Sequence, residues 1–272
     1  MDTGTGAPTA SFTGPLRPRL RPFVAIGRGW DSFRTHIGIS LGVSLALWCI
    51  LLVGELIPFV NILFLLLAVP ALYAGGARFF VRVARGESPA FESLFDGFRR
   101  WPTVTGAVLL QVFVMMAILS PVFVALFATI GFQSWKTPAQ VPVPDFATFA
   151  PFIGAMLVCY PAALWWTCRS WPTYFVVMEP ECTGAVEALR TSWALTRGSV
   201  WRTVGLFALA LPLEILGLLA LCVGIVPAII VWYYGFAHGY EQLRRRAALA
   251  TAAPPPAATP PEPPPTPPIL AL

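Results

Sequence analysis

TVGLFALALPLEILGLLALCVGIVPAIIVWYYGFAHGY, residues 203–240, contains a single charged side chain, Glu214. As one helix it would extend about 57 Å, whereas a bilayer's hydrocarbon core is about 30 Å thick and takes about 20 residues to cross. The stretch is therefore read as two helices folded at a short turn around Gly217 to Gly224. That reading sets the parity of the crossings. Arg244, Arg245 and Arg246 follow the stretch, and an even number of spans returns them to the side of the N-terminal arginines.

The rest of the chain supports a polytopic membrane protein. Of its 272 residues 57% are hydrophobic and 11% charged, against about 25% charged in soluble domains. Four further apolar runs precede the quoted one: from His36 to about Ile57, from Asn61 to about Ala77, from Val104 to Ile130, and from Phe149 past Arg169 to Met178. Pro58 and Asn61 suit a tight turn between the first two, and QSWKTPAQVPVPDFAT, residues 133–148, is the longest loop. The cationic residues are seventeen arginines and one lysine, for a net charge of +5. Arginines 17–34, 78–100, 190–202 and 244–246 all fall on one side of a six-span topology, and the other side holds Lys136. The positive-inside rule then puts both termini in the cytoplasm, as expected of a multi-pass protein of the bacterial inner membrane, and explains the charge without a nucleic-acid partner. Residues 1–21 and the proline-rich residues 247–272 are expected to be disordered around a membrane domain at 22–246. The five cysteines lack metal-ligand or disulfide spacing, and no cofactor is implied.

Three amphipathic segments punctuate the apolar runs. In the first, Phe23, Ile26, Trp30, Phe33 and Ile37 recur at helical spacing, opposed by Arg28, Asp31 and Arg34. The second, SPAFESLFDGFRRW, aligns Phe91, Leu94, Phe95 and Phe98, with Ser88 and Pro89 suited to its start. In the third, EALRTSWALTRGSVW, residues 187–201, Leu189, Trp193 and Thr196 join Val186 on one face, opposite Glu187, Arg190 and Arg197, and Gly198 is a natural stop. An aromatic face opposed by arginine suits a helix lying in the headgroup layer. The fold class is thus an all-α integral membrane protein with six transmembrane helices as three hairpins, each preceded by an interfacial helix.

The pattern EAL-x-x-SW-x-LT-x-G-x-x-W at Glu187 to Trp201, after VVMEPECTG, and the earlier RGESPAFESLFDGFRRW resemble the six-span bacterial membrane proteins related to the membrane domain of glycerophosphoryl diester phosphodiesterase. The resemblance covers about Pro22 to Arg246. It implies a fold and a location but no reaction, because no catalytic domain follows Arg246 in this sequence.

Walker and HExxH motifs are absent from the sequence, as are carboxylates paired on one face, so an enzyme is not expected. Candidate lipid or interface residues are Arg99, Arg100, Trp101, Trp193, Arg197, Trp201 and Arg202. Glu214 and Arg169 are candidate intramembrane polar residues, because a charge in hydrocarbon is costly. Two readings of each remain: Glu214 is an ion site, with Arg169 as its possible countercharge, or both lie at interfaces. The sequence therefore points to a non-enzymatic scaffold or lipid- and partner-interacting module. Its partners would be membrane lipids and, beyond them, a membrane protein or a second copy. The alternative is a small-solute transporter or channel built on Glu214.

Overall fold

The computed structural model of the chain describes residues 20–56, 58–136, 146–219 and 224–252. These residues form helices and connecting turns, with no strand among them. The order is α1 (Pro22–Thr35), α2 (Ile37–Glu55), α3 (Pro58–Ala84), a 3₁₀ segment (Phe91–Arg100), α4 (Trp101–Lys136), α5 (Phe146–Ser170), α6 (Thr173–Val177), α7 (Ala185–Thr196), α8 (Val200–Ala208), α9 (Ala210–Leu219) and α10 (Ile225–Ala252). Five helical stretches are long and apolar enough to cross a membrane: Ile37–Gly54, Asn61–Ala84, Phe91–Thr129, Phe149–Val177 and Val200–Leu219. Helix α10 falls outside that group, because its apolar start gives way to Glu241 and Arg244–Arg246.

Prolines and glycines set several boundaries differently from the sequence reading. Pro58 opens α3 instead of forming a turn, the N-terminal position where its missing N–H costs nothing. The run expected to continue from Phe149 to Met178 breaks at Trp171–Pro172, because proline cannot donate to the preceding turn. Pro212 likewise leaves the Ala208 carbonyl without its donor, and the chain breaks at Leu209 between α8 and α9. The 3₁₀ segment begins after Ala90, two residues beyond the expected Ser88–Pro89 start. Helix α10 continues past Arg246 to Ala252. Gly198 ends α7 as expected, with φ +72. Most of residues 1–21, the tail from 253 and most of the predicted 133–148 loop lie outside the described residues.

The buried core lies toward the arginine-bearing end. It is built from the second half of α3 (Ala71–Val83), the start of α4 (Val104, Ala107), residues 166–182 and most of α10 (Ala228–Leu243), with α1 laid against α10. Away from it the large apolar side chains face outward, including Leu52, Leu63, Phe113, Phe127, Leu157 and Leu219. Only 6% of the most apolar window within Phe91–Thr129 is buried inside the protein, so that surface needs hydrocarbon as its solvent. Close helix approach depends on small residues, since apolar burial does not drive helices together in lipid. A Cβ on Gly29 would come within 2.8 Å of the backbone of Gly235 and Val231, locking α1 on α10.

All three amphipathic segments form helices, and each turns a stripe of mostly small residues inward. The buried residues are Ala25, Gly29 and Phe33 in α1, Ser93, Leu94 and Gly97 in the 3₁₀ segment, and Ala188, Ser192 and Thr196 in α7. Phe23, Trp30, Phe91, Phe95, Phe98 and Trp201 stay exposed. The faces predicted to be continuous are therefore split. Leu94 leaves its phenylalanines for the core, because the 3₁₀ geometry advances faster per residue than the α-helical spacing that aligned them.

Candidate functional site at the arginine-bearing end

Two polar arrangements stand out against this apolar background. The first centres on Glu179, in the turn that follows α6. The apolar run 175–178 precedes it, and its backbone N–H is held by the Val176 carbonyl at 3.0 Å. The carboxylate is buried and bonds Arg85, which leaves the end of α3 where Gly86 reverses the chain at φ +82. It also lies 3.0 Å from Arg244 of α10 and accepts from the Tyr240 hydroxyl at 3.2 Å. Arg85 reaches on to Glu241 at 2.8 Å, and Arg244 to Glu181 at 3.6 Å. Burial pulls the Arg85 guanidinium down, but its bonds to Glu179 and Glu241 outweigh that and hold it above its ordinary value.

Neighbouring arginines are similarly committed. Arg78 pairs with Asp96 at 3.2 Å, and Arg82 with Glu87 at 2.8 Å and the Ser93 hydroxyl at 3.0 Å. Arg78, Arg82, Arg85, Glu87 and Glu179 line a cavity of about 260 Å³. Because each guanidinium there has a carboxylate partner, the cavity is an internal ion lattice and offers no surplus charge to an anion. The lattice ties α3, the 3₁₀ segment, the 178–182 turn and α10 together.

Of the predicted residues, Arg100 departs furthest from expectation. It turns inward and donates to the carbonyls of Val177, Glu179, Cys182 and Pro180 at 2.7–3.3 Å. Within the turn the Glu179 carbonyl also takes the Cys182 N–H at 3.2 Å, and a guanidinium with five N–H groups can serve several such carbonyls together. Arg99 remains exposed, within 4.0 Å of Asp96, and Trp101 and Trp201 are exposed. Arg197 is exposed and Arg202 half-buried. Trp193 is half-buried against Trp165 and Trp166.

Arg169 and Glu214 form no ion pair with each other. The Arg169 guanidinium sits over the rings of Trp165 at 5.5 Å and Trp193 at 5.0 Å. Its carbonyl accepts the hydroxyl of Ser192 at 3.0 Å, fastening α7 to α5. Gln111 bonds the Ser170 carbonyl at 2.9 Å, the interhelical role its position in α4 suggests. Glu214 is exposed on α9 and lines a second arrangement, a cavity of about 400 Å³ among α2, α3, α9 and α10.

A further set of arginines has no acidic partner within 4 Å among the described residues: Arg28, Arg34, Arg190, Arg197, Arg202 and Arg245. Five of these belong to the amphipathic segments or their flanks, and Arg245 follows from α10. No three His, Cys, Asp or Glu side chains among the described residues converge to hold a metal ion.

The sequence reading missed Glu179, Arg85, Glu241 and Arg244 as a unit. One local signal was present: a carboxylate immediately after an apolar run, on a side dominated by arginine. No protein-family model, curated protein or solved structure matches the chain.

Proposed function

We propose that the chain is a six-span protein of the bacterial cytoplasmic membrane, with both termini cytoplasmic, that works without catalysis as a scaffold or lipid-interacting module. In this reading α10 supplies the sixth crossing, and the family resemblance of the third amphipathic segment accounts for the layout. The observation that carries it is the sorting of the arginines. Those inside the lattice are matched by carboxylates, while five unmatched ones, Arg28, Arg34, Arg190, Arg197 and Arg202, share the amphipathic segments or their flanks with exposed Phe23, Trp30, Phe95 and Trp201. Aromatics beside unpaired guanidinium groups suit the boundary between acyl chains and anionic phosphates. A protein partner or second copy would dock on the same segments.

Each arginine near an anionic surface contributes about 1 kcal/mol. Replacing Arg190, Arg197 and Arg202 together by Gln is therefore expected to weaken headgroup retention by roughly a hundredfold. The test is native mass spectrometry of the full chain released from nanodiscs of mixed phosphatidylglycerol and phosphatidylcholine. Stoichiometric phosphatidylglycerol on the wild type, lost from the triple variant, is the expected result. Equal retention by both proteins would refute the headgroup reading. A co-released protein would shift the assignment to partner docking.

A further inference from the structure

We infer that the cavity among α2, α3, α9 and α10 binds a hydrophobic organic cation, with Glu214 as its counter-ion. The walls include Trp48, Tyr73, Phe80, Trp232 and Tyr233, and Glu214 is the only charged side chain among the lining residues. Phe80 and Tyr233 stack with ring centroids 5.3 Å apart, so part of the aromatic wall is held in place before any ligand arrives. At Tyr73, Ala77, Trp232 and Tyr233 the cavity meets a second one of about 350 Å³, lined further by Trp171, Tyr174 and Phe236. Volumes of this size suit a small organic molecule.

Three properties select the ligand class. Glu214 has no cationic partner within 4 Å among the described residues, so an uncharged apolar occupant would leave a carboxylate unmatched beside hydrocarbon-like walls. An inorganic divalent cation fits poorly, because Ca²⁺ takes about six to eight oxygens and the walls supply a single carboxylate. An alkyl- or aryl-substituted ammonium or phosphonium satisfies both surfaces. Its diffuse charge faces Glu214 and the ring faces, and its substituents fill the apolar remainder. Glu214 is exposed while lining the cavity, and its neighbours Leu211, Ile215 and Leu218 are exposed as well, so entry is from the side of α9. A ligand that partitions into the bilayer would reach the site from that side.

The inference stands apart from the headgroup reading, since no arginine lines the cavity. The experiment is equilibrium binding of radiolabelled tetraphenylphosphonium to the purified full chain in nanodiscs of zwitterionic lipid, with tetraphenylborate as a probe of similar shape and opposite charge. Saturable tetraphenylphosphonium binding near one per chain is expected. It should weaken by about tenfold or more in Glu214→Gln and stay within about threefold in Glu214→Asp, which keeps the charge. Tetraphenylborate should show no saturable binding. Unchanged affinity in Glu214→Gln, equal binding of the two probes, or no saturable tetraphenylphosphonium binding would each overturn the assignment.

Discussion

Gly75 and Gly76 are adjacent in α3, yet the structure assigns them opposite fates on substitution by alanine. A Cβ on Gly75 would collide with the Leu94 carbonyl in the 3₁₀ segment, whereas a Cβ on Gly76 meets nothing within 4 Å. The obstacle at Gly75 is backbone, so no rotamer change relieves it. The segment is also held on both flanks. Gly97 lies against the Ala71 carbonyl as closely, and Arg78–Asp96 and Arg82–Ser93 bind the same two elements at 3.2 and 3.0 Å. To admit a methyl group the segment has to retreat by roughly 1.5 Å to reach ordinary contact. Overpacking of this kind costs about 1–3 kcal/mol, and loosening the two polar contacts adds up to about 1 kcal/mol each. Alanine's helix preference returns about 1 kcal/mol. The net expectation is a loss of about 2 kcal/mol for Gly75→Ala and a change between zero and a gain of about 1 kcal/mol for Gly76→Ala. The assay is unfolding of the purified protein in mixed micelles by sodium dodecyl sulfate titration, followed by tryptophan fluorescence. Gly75→Ala with Gly97→Ala should cost less than the sum, because one retreat serves both. If the Gly75 and Gly76 variants agree within about 0.5 kcal/mol, the close-packing argument is wrong.

Two further expectations concern carboxylates near the arginine-bearing end. Glu179→Ala removes the shared partner of Arg85, Arg244 and Tyr240; because each arginine keeps a second acid and some solvent, the loss expected in the same titration is about 2–3 kcal/mol, short of a fully buried pair. Glu181→Gln, at an exposed residue 3.6 Å from Arg244, should stay within about 0.5 kcal/mol, and equal effects at the two sites would count against the lattice. Glu187 accepts from the hydroxyl and the backbone N–H of Thr183, and those bonds hold its carboxyl below the ordinary 4.5. A lowered folded value means that its contribution is present above 4.5 and disappears as pH falls through the folded value. The thermal-midpoint difference between wild type and Glu187→Gln should thus be full at neutral pH and shrink on acidification below 4.5; a difference that grows would refute the capping role.

Local features were the legible ones. Apolar runs long enough to cross hydrocarbon announce themselves without tertiary information, as does Gly198, whose left-handed backbone ends α7. The close approach of Ile26 and Gly29 of α1 to Gly235 of α10 carries no such local mark. The orientation of the amphipathic segments was less accessible. In water the aromatic face would be the buried one, but at a membrane edge the surroundings are also apolar. Size then decides which face meets the bundle, and the small stripes Ala25–Gly29 and Ala188–Ser192 win.

By itself the sequence determined an all-helical chain whose surface needs a bilayer, because composition and run length depend on no long-range contact. It also separated the polar edge segments from the apolar runs. Only the tertiary structure decided which arginines are neutralised and which remain free. Seventeen chemically identical guanidinium groups carry no local mark of their partners. Arg85, Glu179 and Arg244 meet across long stretches of chain, Arg100 turns into a ring of carbonyls, and Arg169 and Glu214 remain apart. Those pairings follow from how the helices stack at one end, and stacking is set by the matching of small residues on elements distant in the chain.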